Sequence, residues 1–80
     1  MQTIVKLPEK NGTIGAREII RSIRNGRIKH VVVADNCPEF LFLMIKNLEN
    51  QIKIEKFEGD ESQMGTKLGK PFPVAMVGYE

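Results

Sequence analysis

The chain has eighty residues, 41% of them hydrophobic, with a net charge of +2 and a single cysteine. That length allows one domain, residues 1–80, with a core small enough that a partner surface would add to its stability. Cys37 cannot form an intramolecular disulfide, and one histidine provides no zinc set. No apolar run approaches the ~20 residues that span a bilayer.

The first ten residues, MQTIVKLPEK, are too polar for a signal peptide, so a cytoplasmic protein with no membrane attachment, metal or cofactor is expected. Charge is spread unevenly. Between Gly12 and Val33, Arg17, Arg21, Arg24, Arg27 and Lys29 stand against one acid, Glu18. Between positions 55 and 61, Glu55, Glu58, Asp60 and Glu61 stand against Lys56. The basic half is the candidate nucleic-acid face.

In chain order, residues 2–7 alternate weakly and suggest a short strand before Pro8. Lys10-Asn11-Gly12 reads as a turn. From Ala16 to Asn25, Ala16, Ile19, Ile20 and Ile23 recur at the spacing of one helical stripe. Arg17, Arg21 and Arg24 form a second stripe. Asn25-Gly26 stops the helix, because glycine takes the left-handed cap without a Cβ penalty. His30 to Ala34 is a continuous β-branched run that suits a central strand covered on both faces. Asp35-Asn36-Cys37-Pro38 turns the chain, with Asp35 or Asn36 expected to cap the next helix.

That helix, Pro38 to about Asn50, carries Phe40, Leu41, Phe42, Leu43, Met44 and Ile45 in succession. It is greasy around most of its circumference. It must be buried on several sides or offer an apolar face to another molecule. Ile52 to Phe57 alternates and reads as a strand nearer the sheet edge. Ser62 to Leu68 makes a short helix closed by Gly69, Phe72-Pro73 is a loop, and Val74 to Tyr79 a last strand. Strands alternating with helices predict an α/β sandwich.

No catalytic set is visible. Cys37 and His30 form the only nucleophile–base candidate, and they sit at opposite ends of one expected strand, roughly 20 Å apart at ~3.3 Å per residue. The acids of positions 55–61 follow no calcium-loop pattern. Gly12-Thr13-Ile14-Gly15 lacks the glycine–lysine–threonine core of a phosphate-binding loop. The sequence points to no enzyme.

An arginine stripe alone is most often a solvated surface. Here, however, Gly12 and Gly15 precede the helix, so its free N–H groups can approach a phosphate or base edge. Arginine's planar fork also suits guanine edges and phosphates better than lysine does. Phe72, in the second glycine-rich element, is either a core residue or a platform for an unpaired base.

TIGAREIIRSIRNGRIKHVVVADNCP and QMGTKLGKPFPVAMVGY together resemble the ribosomal protein L30e/L7Ae superfamily, whose members bind kink-turn RNA. The first matches the family's glycine-opened helix, basic-residue–glycine turn and central strand. The second matches its leucine–glycine helix, apolar proline-containing loop and last strand. The resemblance implies a three-layer α/β/α sandwich with about four strands in a mixed sheet, the family's N-terminal helix being missing or truncated. It implies a ribosomal large-subunit protein or paralogue that binds ribosomal or other kink-turn RNA.

Carried over by position, RNA contact falls on Gly15, Ala16, Arg17, Glu18 and Arg21 at the helix start. It falls also on Phe72, Pro73 and Val74 in the loop that meets an extruded nucleotide. Ala16 departs from the polar or aromatic residue of relatives, Gln63 from a common glutamate and Lys67 from a small residue. The apolar helix adds an alternative: a protein–protein module on the same fold, with RNA binding weakened or lost. Its docking surface would be Phe40, Phe42 and Leu43, and its partner a ribosomal protein, rRNA or a second copy of the chain.

Overall fold

A computed structural model describes residues 1–80. Five strands and three helices follow one another as β1 (Gln2–Ile4), β2 (Thr13–Ile14), α1 (Ala16–Arg24), β3 (His30–Val33), α2 (Glu39–Lys46), β4 (Lys53–Phe57), α3 (Glu61–Lys67) and β5 (Met76–Tyr79). The strands form one sheet in the order β1-β4-β3-β5-β2. β4 runs parallel to both β1 and β3, while β5 is antiparallel to β3 and β2.

The unbroken apolar run at 31–34 is explained by its place. β3 is the middle strand, and side chains alternate across a strand, so each face needs its own apolar set. Val31 and Val33 join Met76 beneath Ile19 and Ile23 of α1 and Ile45 of α2. Val32 and Ala34 face the other way, where Phe57, Val77 and Tyr79 meet Met64 of α3 and Val74. Helices thus cover both sides of the sheet, and the architecture is the expected three-layer mixed α/β sandwich. It has one strand more than the four expected. The additional pairing is β2, two residues long and too short to leave a periodic signal.

Several boundaries move. The strand expected over 2–7 ends at Ile4, and the helix expected from Pro38 to about Asn50 runs only from Glu39 to Lys46. β4 lies one place in from the edge, because β1 pairs along its outer side. Asn36 does not cap α2, whose N-cap position is taken by Pro38 with no side-chain bond. Its Oδ1 instead accepts the N–H of Glu61, 2.9 Å away, at the first turn of α3. α3 has in addition a full capping box, Asp60 accepting from Gln63 N–H and Gln63 from Asp60 N–H. These reciprocal bonds satisfy donors that a seven-residue helix would otherwise leave unpaired.

His30, the first residue of β3, meets an acid on the neighbouring strand. Its Nε2 lies 2.5 Å from the Glu55 carboxylate, which is only 6% exposed. Lys53 approaches the other oxygen of Glu55 at 3.8 Å. Beside them the His30 and Tyr79 rings lie 5.8 Å apart. The Tyr79 hydroxyl is fully buried and has no hydrogen-bond partner in the protein. Burial pushes that phenol above its ordinary titration range.

Candidate nucleic-acid interface

β2 runs into α1 through a single residue, Gly15, at φ +97°. An L side chain is strained there, so glycine allows the chain to turn from strand to helix in one step. No side chain caps α1, and its first backbone bond is from Ile19 N–H to Gly15 C=O, at 3.0 Å. The N–H groups of the first turn therefore point out of the helix end.

Opposite this end stands the 70–74 loop, which is anchored on α3. Lys70 N–H donates to Gly65 C=O at 2.9 Å, and Val74 N–H donates to Glu61 C=O at 3.0 Å. A Cβ on Gly65 would lie 2.1 Å from the carbonyl oxygen of Phe72, so only glycine lets the loop settle on the helix here.

Between the helix start and this loop runs a groove of about 360 Å³, with seven apolar residues among its ten. It brings together five of the eight residues expected to contact RNA: Gly15, Ala16, Phe72, Pro73 and Val74. Phe72 keeps 47% of its surface exposed and can stack on a base, whereas Val74 is 4% exposed and serves as a wall. The groove also takes in Ala75, next to the expected loop residues, and Ile14, Leu41, Glu61 and Met76, which the sequence did not single out. The signal for Glu61 is the Asp-Glu-Ser-Gln capping box, which fixes it as the first residue of a helix. Which side of the fold that helix start faces depends on tertiary packing.

Arg17, Glu18 and Arg21 lie on the exposed surface of α1, outside the groove. Successive helical residues are rotated by about 100°, so a helix that turns Ala16 toward the groove turns Glu18 away. Arg17, Arg21 and Arg24 line a shallow depression of their own with Ile20 and Asn25. The Arg21 guanidinium meets the Glu18 carboxylate at 3.7 Å, with both side chains more than half exposed. So open a pair is held weakly and can exchange for a phosphate.

The helix expected to dock a partner divides along its length. Phe40 is 67% exposed, and Leu43 and Met44 are about half exposed. Phe42 departs from that expectation: it is half-buried and packs against the core beneath α1 and α2. Ile45 is the fully buried residue, which turns positions 40, 43 and 44 outward. Cys37 is half-buried at the turn before this helix, and its Sγ lies 3.6 Å from Pro38 O. Burial, and secondarily the charge of Glu61, push its thiol above the ordinary range. His30 is committed to Glu55 at the far end of β3, so the two are not brought together.

The model of the ribosomal protein L7Ae/L30e/S12e/Gadd45 family matches residues 3–80. The chain belongs to this family. A large ribosomal subunit protein eL30 from Archaeoglobus fulgidus is 39% identical over 79 residues, covering 96% of this chain and 90% of that one. Among solved structures, a Bacillus halodurans C protein of unknown function superposes with a TM-score of 0.76 at 14% identity, over 85% of this chain and 69% of its own. A 15.5 kD RNA binding protein from Giardia lamblia gives a TM-score of 0.66 at 15% identity, over 85% and 58%. At such identities the structural likeness speaks for the fold alone.

Proposed function

We propose that this chain is an RNA-binding protein of the ribosomal large subunit, recognising a kink-turn or a related internal loop. The observation that carries the reading is the groove, which joins the uncapped start of α1 to the Phe72 loop, while the arginine stripe lies outside it along the same helix. The similarity to an archaeal eL30 over nearly its whole length supports the ribosomal setting. In this arrangement Arg17 and Arg21 neutralise the crowded phosphates of a sharp bend. The first turn of α1, with Glu18, meets the base pairs of the kink. The apolar groove takes in a base driven from the stack.

Gel shifts with a kink-turn RNA and a plain duplex test this directly. Arg17→Ala or Arg21→Ala is expected to weaken binding and to lower the salt slope by roughly one unit per lost phosphate contact. Glu18→Ala is expected to reduce the preference for the kink-turn. Equal affinity of the unaltered protein for both RNAs would remove the claim of structure-specific reading.

The outward face of α2 favours a second role on the same scaffold. Phe40, Leu43 and Met44 form an apolar patch next to one another, fit for a ribosomal protein, rRNA or a second copy. Phe40→Ser is the variant to use for this reading, with assembly measured by co-sedimentation. Phe42→Ser would disturb the core as well and so confuse the two effects.

A further inference from the structure

The outward stripe of α2 is complementary to itself. Ile45 is fully buried, and Leu43 lies about 200° around the helix from it, so Leu43 holds the outermost line. Glu39 and Lys46, both exposed, stand two turns apart on nearly that same line, one at each end of the helix. Phe40 and Met44 flank Leu43 along one side. We propose, resting on the docking role of α2, that its occupant is a second copy of the chain. The two α2 helices pack antiparallel about a two-fold axis at Leu43.

Charge selects the occupant and its direction. Glu39 forms no ion pair within the chain, and Lys46 has only an open pair with Glu49 at 3.6 Å. An antiparallel arrangement sets Glu39 of each copy opposite Lys46 of the other, and the two-fold makes that pair twice. A parallel one would set acid against acid and base against base. The helix dipoles agree, because the N-terminal end of one α2 then lies beside the C-terminal end of the other. RNA is the poorer occupant. The stripe carries one acid and one base and no arginine, and Asp35 and Glu49 are exposed at its two ends.

Packing supplies the attraction. Phe40, Leu43 and Met44 are the exposed apolar side chains of α2, and the two-fold lays both copies of that set together. A helix of eight residues spans only about 12 Å, so the contact is smaller than the ~1,200–2,000 Å² that stable interfaces bury. Association is therefore weak and rises with concentration. Leu41, which lines the groove beside α1, lies about 200° from Leu43. The groove and the dimer face are thus on different sides of α2.

The test is sedimentation equilibrium of the whole chain from about 10 μM to 1 mM. The average mass is expected to rise from that of one chain toward that of two. Phe40→Ser should hold the protein as a monomer throughout. Glu39→Lys and Lys46→Glu should each weaken self-association about three- to tenfold, because each sets like charges opposite one another. Mixing these two variants in equal amounts should restore association to the unaltered level, since every pair across the axis is then opposite in sign. The recovery uses the same altered helices, so damage to α2 itself cannot produce it. A mixture no stronger than either variant alone overturns the antiparallel pairing. A monomer at every concentration overturns the second copy. If Phe40→Ser then still lowers co-sedimentation with ribosomal particles, a ribosomal occupant takes its place and the docking role stands. No effect of Phe40→Ser in either assay removes both.

Discussion

The two faces of the sheet are covered in different ways. On one, α1 and α2 lay isoleucines over Val31, Val33 and Met76, a conventional apolar layer. On the other, a seven-residue helix and the 5–12 segment cover a surface that includes the buried Glu55, the His30 ring and the unpartnered Tyr79 hydroxyl. The first face is held mainly by side-chain volume. The second depends on glycines that admit close contact and on caps that stabilise a short helix. It is this second face that carries the Phe72 loop and Glu61, so the candidate groove takes one of its two walls from where the packing is least generic.

The largest effect is expected on the first face. Ile19→Ala leaves a cavity under α1 at a fully buried position and should cost about 2–5 kcal/mol in chemical denaturation. A loss well under 1 kcal/mol would mean that α1 is not the main cover of that layer. Gly65→Ala attacks the second face. The added methyl meets the Phe72 carbonyl, so about 1–3 kcal/mol should be lost as the loop is pushed away. Under conditions where both variants stay folded, only Gly65→Ala should also weaken RNA binding. Equal damage to binding by both would erase the distinction between the faces.

The smallest effect has the opposite sign. Tyr79→Phe removes a buried hydroxyl without a protein partner and should raise stability by about 1 kcal/mol. A lowered melting temperature would reveal a partner for that oxygen. The same variant has a pH signature. The folded phenol titrates above its ordinary value, so the unfolded chain releases its proton first as pH rises. Stability from this group is full below about pH 10 and declines through the alkaline range above it. Tyr79→Phe should flatten that decline. Cys37 contributes in the same direction from a lower pH, since its thiol too is pushed up by burial and by Glu61.

Much of this organisation could be read from residue order. The isoleucine spacing of 16–23 gave α1 its buried face, and the unbroken run at 31–34 identified the middle strand. Gly15 and the Phe72 loop, which the family resemblance implied as RNA contacts, line one groove. Other features depended on contacts between distant positions. The bond from Asn36 to Glu61 crosses 25 residues, and nothing local distinguishes it from a cap on the next helix. Six consecutive apolar residues in α2 have no preferred side, so only packing decides that Ile45 turns inward and Phe40 outward. The pairing of β2 with β5 involves two residues and no pattern. Among the acids of positions 55–61, which follow no calcium-loop pattern, nothing local marks Glu61 as the one that lines a groove with Phe72.

Strand β5 pairs on both sides, with β3 and with β2, and its residues are the last to be synthesised among those of the sheet. During translation, therefore, the central strand waits with one edge open until Met76–Tyr79 has left the exit tunnel. The Phe72 loop, whose two anchors both lie on α3, leads directly into that strand. On the RNA-binding reading, α1 alone offers an incomplete site, so RNA capture is expected once β5 has joined the sheet rather than as α1 emerges.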